Sequence, residues 1–580
     1  MTRWTNRTNA VRLMGVLGFG LFAAACGDEP TAPEDNQEDS QGPAPTVASI
    51  EPTSGTVGTD LRISGTDFRD GAAVQIGTFD ATGIDVTSGS EIFATVPAGV
   101  TADAVYDITV TNADGTTVTL AEAFTAVAPT LSFVNGATKP SGSSGSTVIL
   151  EGAAFGDAQG PGRVLFSDGA DGTVEADIAS ADDWTDSFIL TTVPADAESG
   201  PVLVETGTGE SESLPFTLSS GATFSPSAIE WTESEALPVA VSGHSATFAP
   251  IDDATGETVE HVFVGGGTGN DSVPSADLHY SVIQSDGHVG TWQVGASLAS
   301  GVTHHATVAA TPFNSKAPGS GYLFVMGGVE DKGGQPVDAI HRIALNQDGS
   351  TEAAEPAGTL PMPLHSFGAV VFRSTVYIAG GATTDDEPVT RVYRAAIDSL
   401  GELGDWEELA SLPEARAHHQ LVGFGGFLYA VGGDSAAVSV DDPNFQDNET
   451  KLSTVAFSRI NLRSGLLDDG WSVSASEMQK SRSKHIALAA GGSLFVSSGL
   501  YAAAGTGSSE NIFASINSDG TLGGFNGATG DNTLLSVGGV NLFNTRGIAY
   551  VDADGVAHVM VLGGDDVNNP GEKTDKVIFY

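Results

Sequence analysis

Twelve histidines occur in the chain, and five of them share one context: a polar lead, an imidazole, then a small or apolar run. SGHSATF carries His244, THHATVA carries His305, LHSFGAV carries His365, HHQLVGF carries His419 and KHIALAA carries His485. A sixth copy, TRGIAYV, has Arg546 near the same slot. Imidazole is the commonest metal ligand and a ready general base. Gathered round one axis, these groups would offer a metal or an anion a site. A metal, however, needs donors converging within roughly 2 Å of one point. Equivalent positions round an axis tend to point apart, and no carboxylate recurs beside them. The competing reading is structural: each His, often with a preceding Arg or Ser, hydrogen-bonds the neighbouring copy.

The elements that must position these residues are repeats. From about residue 222 to the end, each copy has an apolar strand, then a second apolar strand ending in a glycine pair. The pairs are Gly265-Gly266, Gly327-Gly328, Gly380-Gly381, Gly432-Gly433 and Gly563-Gly564, with a degraded Ser498-Gly499. The period averages about 60 residues. Third strands follow as LHYSVIQ, AIHRIAL, RVYRAAI, AFSRINL, IFASINS and KVIFY. Asp-Gly-type turns supply the positive φ that tight hairpins need. They lead to strands opening on Trp292, Trp406, Trp471 and Phe525; the second copy has no such aromatic.

Over residues 222–580 this pattern resembles the kelch β-propeller family, through the diglycines, the third-strand aromatic residue and the later Trp. The resemblance implies six four-stranded blades round a channel, with the histidines at the start of each innermost strand. The last copy stops at a third strand, while Trp231 stands where a fourth should begin. The N-terminal segment is therefore expected to complete the last blade. That closure removes exposed sheet edges.

Ahead of the repeats, short alternating strands and glycine turns predict β-sandwiches. Residues 46–127 resemble the IPT/TIG family of immunoglobulin-like domains. The matching residues include Ile50, Pro52, Gly55, Gly58, Gly65, Phe68, Asn112, Gly115 and Phe124. Gly65 and Gly115 are read as turn glycines, and Phe68 and Phe124 as core. A looser second copy spans 128–220, with Gly152 and Phe155 in the Gly…Phe positions. The fold class is thus all-β: two immunoglobulin-like β-sandwiches followed by a six-bladed kelch-like β-propeller.

The first 25 residues combine Arg3, Arg7 and Arg12 with a short apolar run and small residues before Cys26, as an export signal does. They resemble a bacterial lipoprotein signal peptide, which implies lipid on Cys26, the single cysteine of the chain. Residues 26–45, rich in Pro, Asp, Glu and Gln, are expected to be a disordered tether. The implied location is the bacterial cell envelope, at the outer membrane or cell surface.

With 23 basic against 73 acidic residues, the net charge is −50. Such a surface repels phosphate backbones, which excludes nucleic acid as a partner. The kelch-like oxidases that carry copper need a cysteine–tyrosine cofactor, and the only cysteine here is Cys26 of the lipobox, which excludes that chemistry. No cofactor is expected, apart from calcium in the acidic loops 432–450 and 563–576. The expected function is binding of a protein or glycan partner, as an adhesin or scaffold. The alternative is a carbohydrate-active enzyme with its site at the channel mouth.

Overall fold

The computed structural model describes residues 42–580, apart from 135–139, 143, 171, 219–228, 312–318, 331–333, 438–449, 463, 502–509, 528–541, 552–556 and 567–571. The leader, Cys26 and nearly all of the tether lie outside the described residues. The chain is all-β; the one helical segment among the described residues is a 3-10 turn, Ala181–Asp183.

The first sandwich packs one sheet (Thr46–Glu51, Asp60–Thr66, Glu91–Thr95, Thr82–Ser88) against a second built on Thr117–Ala126, Val105–Thr111 and Ala73–Ile76. Strict alternation along Asp60–Thr66 and Ala73–Ile76 buries Leu61, Ile63, Val74 and Ile76 between the sheets, with Phe68 and Phe124. Gly115 has φ 83° and occupies a turn, as expected. Gly65 does not: it lies within the Asp60–Thr66 strand. A Cβ there would stand 1.8 Å from the Thr46 carbonyl oxygen and 2.6 Å from the Phe68 ring. Close approach, not turn conformation, demands this glycine. Gly152 repeats the arrangement in the second sandwich, against the Thr130 carbonyl and Phe155.

The two sandwiches share a hydrogen-bonded seam: Thr56 Oγ1 to Thr206 Oγ1 at 2.9 Å, and the Asp60 amide to Asp157 Oδ2 at 2.8 Å. A second seam joins the later sandwich to the body that follows. There the Arg373 guanidinium lies 3.3 Å from the Phe188 ring centroid, Arg459 pairs with buried Asp183, and Ile149, Leu190 and Leu462 form an apolar patch.

Among the described residues that body has two short two-stranded sheets and six four-stranded antiparallel ones. Their first strands are Ser245–Asp252, Ala306–Ala310, Gly368–Phe372, Gln420–Phe424, Ile486–Ala490 and Arg546–Val551. Each touches the first strand of the next sheet, and the sixth touches the first, so the six form a closed cycle. The sixth sheet is assembled from both ends of the region. Val577–Phe579 pairs with Ala557–Leu562 on one side and with Thr232–Glu233 on the other. Trp231, next to that added strand, is buried with Ile578 and Phe495.

Candidate functional site

The start of each first strand is organised in two layers, one residue apart. In the outer layer His244, His305, His419 and His485 are all buried. Each is wedged between glycines of two neighbouring sheets. The Cβ of His419 would crowd a Cβ on Gly433 of its own sheet (2.8 Å), and its Cε1 would crowd one on Gly380 of the preceding sheet (2.8 Å). His485 sits likewise between Gly499 and Gly432, and His244 between Gly267 and Gly563. The two glycines have φ of 57° and 105° in the fourth sheet, so their conformation and their space both exclude a side chain. Burial, the largest cause, holds His244, His305 and His485 near a pKa of about 3, as neutral rings. Buried Arg416, three residues before His419, donates to the carbonyls of Ala430 and Gly432.

Two expected members of this layer are displaced. His365 lies two residues early; Phe367 fills the wedge, with its Cβ against Gly381 and its ring against Gly327. His365 instead pairs with Asp386 at 3.2 Å. In the sixth sheet Thr545 takes the wedge position against Gly564, and Arg546 falls one residue later. Sequence spacing misplaced both because the lead into the first strand keeps its length while the imidazole does not recur.

The inner layer comprises Gly243, His304, Ser366, His418, Lys484 and Asn544. All six have left-handed φ, between 51° and 61°. Their backbones close a ring of hydrogen bonds: His304 N–H to Gly243 O, Ser366 to His304, His418 to Ser366, Lys484 to His418, Asn544 to Lys484 and Gly243 to Asn544, at 2.8–3.2 Å. Every peptide donor is thereby satisfied without a strand ladder.

A cavity of about 340 Å³ runs along the first strands from this ring. His304, Ser366, His418, Lys484, Asn544 and Arg546 line one end; Val370, Val422, Leu488 and Ile548 line the rest. No Asp or Glu is among its described lining residues. His304 and His418 are 5.9 Å apart, ring to ring. Their Nδ1 atoms meet Thr303 Oγ1 (3.1 Å) and Asp434 Oδ2 (3.2 Å), while both Nε2 atoms are buried without a partner. Burial pushes both imidazoles well below their ordinary pKa, and the charge of Lys484 adds to the shift. Arg546 is lowered to about 10 by burial and donates to the Thr545 carbonyl. His304, His418 and Lys484 were not among the expected site residues. The available signal was the doubled His in THHATVA and HHQLVGF, which the repeat does not require.

Among the described residues no three His, Cys, Asp or Glu converge to hold a metal. The acidic loops expected to offer calcium ligands fall partly on 438–449 and 567–571, outside the described residues.

Residues 45–126 match the family model described as IPT/TIG domain. Alpha-scruin of Limulus polyphemus is 30% identical over 112 residues, which is 19% of this chain and 12% of that protein. The chain thus matches about an eighth of that relative's length. A solved structure described as "Structure of YjhT" covers 59% of this chain and 95% of its own at 12% identity, with a TM-score of 0.41.

Proposed function

We propose that the six sheets are the blades of a kelch-type β-propeller, held by two immunoglobulin-like sandwiches and tethered through lipid on Cys26, and that the assembly binds a protein or glycan partner in the cell envelope. The closed cycle of first strands carries the propeller reading. An IPT/TIG domain in an all-β chain fits a binding or scaffolding role. The seams between modules support it further, since they would carry load from tether to propeller through buried contacts.

The partner surface is placed on the loops that follow the glycine pairs. Two exposed valines, Val239 and Val273, border a groove of about 390 Å³ there, between the closing segment and the first sheet. Exposed apolar residues rimmed by acidic loops suit a partner with both apolar and basic groups. The enzyme alternative has less support. Glycoside hydrolysis relies on paired carboxylates, and the cavity has none among its described lining residues.

A screen of the full chain against glycans and envelope proteins tests the reading. A partner lost in Val273→Asp with unchanged circular dichroism supports it; a partner bound equally by wild type and that variant moves the surface elsewhere. Palmitate labelling of wild type and Cys26→Ala tests the anchor, and equal labelling removes it.

A further inference from the structure

The cavity inside the cycle of first strands has a chemistry opposite to that of the molecule. The chain carries a net charge of −50. Yet the polar end of the cavity presents Lys484 and Arg546, the amide of Asn544 and the hydroxyl of Ser366, with no carboxylate among the described lining residues. The neighbouring acids have partners of their own: Asp434 is bonded by His418 and lies within the charges of Lys451 and Lys484, and Asp565 is bonded by Lys573 and Asn544. No carboxylate among the described residues pairs with Arg546. The unpartnered Nε2 atoms of His304 and His418 belong to side chains more than nine-tenths buried on the same lining. Buried polar atoms are ordinarily satisfied by protein, water or ligand. Beyond this end the wall turns apolar at Val370, Val422, Leu488 and Ile548. A small ligand with an anionic head and a compact apolar body meets both zones, and the volume suits one.

We propose that this cavity binds a small organic carboxylate, its oxygens facing Arg546 and Lys484, its body against the four apolar residues; Nε2 of His418, whose ring donates from Nδ1 to Asp434, is left to accept from a donor on the ligand or from water. Arg offers paired N–H donors to a carboxylate, and Lys adds a point charge. The site is independent of the partner surface proposed on the loops.

Calorimetric titration of the full chain with sodium benzoate, inorganic phosphate and uncharged benzyl alcohol tests it. Saturable benzoate binding that weakens with added salt is expected. Weakening by roughly tenfold or more is expected in Arg546→Gln, with no change in Arg163→Gln on the second sandwich. Ser366→Asp, which adds a carboxylate to the same rim, should abolish binding. Benzoate binding equal in all variants overturns the proposal, as does tighter binding of benzyl alcohol or binding of phosphate alone. Should the cavity variants misfold, the wild-type comparison still decides: no benzoate binding, or binding indifferent to salt, overturns it.

Discussion

Two layers of the six-sheet body lie one residue apart and obey opposite rules. In the wedge layer the side chains are His, His, Phe, His, His and Thr; the first five are each pressed between glycines of two neighbouring sheets, and Thr545 lies against Gly564 alone. In the ring layer they are Gly, His, Ser, His, Lys and Asn, sharing only a left-handed backbone. Repetition in the first comes from a repeated packing demand: a flat ring fits the gap two glycines leave, so the same solution recurs. The second repeats in backbone alone, because hydrogen bonds from peptide groups close it and no single side-chain type is demanded all the way round. Residues freed from a packing demand are the ones that can face a ligand. The adjacent pair His418 and His419 contains one of each kind.

The comparison breaks most sharply at the glycines. Gly432→Ala places a Cβ 2.7 Å from the Arg482 carbonyl oxygen and 2.8 Å from the His485 ring, at φ 57°. Strain and overpacking together predict a loss of about 3 kcal/mol in urea unfolding. Ser366→Gly in the ring keeps a left-handed φ of 53° that glycine adopts freely and adds no Cβ, so stability should change by less than about 1 kcal/mol. Equal losses in both variants would erase the distinction between layers. Next in size, His419→Ala should cost about 2–3 kcal/mol through the cavity it leaves. His419→Phe should cost much less, because Phe367 already fills this slot in the third sheet. A phenylalanine as damaging as alanine would assign the imidazole a role other than packing.

Much of this architecture was legible in the chain. Glycine pairs and third strands marked six sheets, because a repeated packing demand leaves a repeated sequence. Trp231 marked the strand that closes the sixth. Gly65 was misread as a turn glycine because the Thr46 carbonyl it admits comes from another strand, a contact no local pattern shows. The candidate site was legible only in reverse. His244, His305, His419 and His485 recur and proved to be wedges, of which His305 and His419 also border the cavity, whereas His304, His418 and Lys484 belong to no six-fold pattern and line its polar end. A repeat exposes what the backbone requires; what departs from it becomes visible only once the wedge position is fixed by structure.

Acid should discriminate the layers next. Burial lowers His485 from 6.5 to about 3, so between those values the unfolded chain binds a proton that the folded one refuses. Stability from the neutral ring is complete above pH 6.5 and is lost as pH falls toward 3. His485→Phe removes one such proton and should flatten the fall in melting temperature from pH 7 to pH 4. An unchanged slope would mean that the ring is not buried neutral.

The smallest effect tests whether irregularity alone marks function. Glu151 belongs to neither layer; it sits at the seam between the second sandwich and the sheets, where burial raises it from 4.5 to about 7 against the nearby charge of Arg373. Here the sign reverses. The folded state holds a proton between pH 4.5 and 7 that the unfolded chain releases, so this group's contribution is fully present below pH 4.5 and declines as pH rises to 7. Glu151→Gln keeps the neutral shape at every pH. It should match wild type near pH 4.5 and exceed it by about 1 kcal/mol at pH 8, while leaving benzoate binding untouched. A variant less stable than wild type at pH 8 would mean that the ionised carboxylate, paired with Arg373, holds the seam. In that case a buried, unrepeated polar group would serve stability alone, and the inference from irregularity to function would have to rest on the cavity and its unpartnered nitrogens.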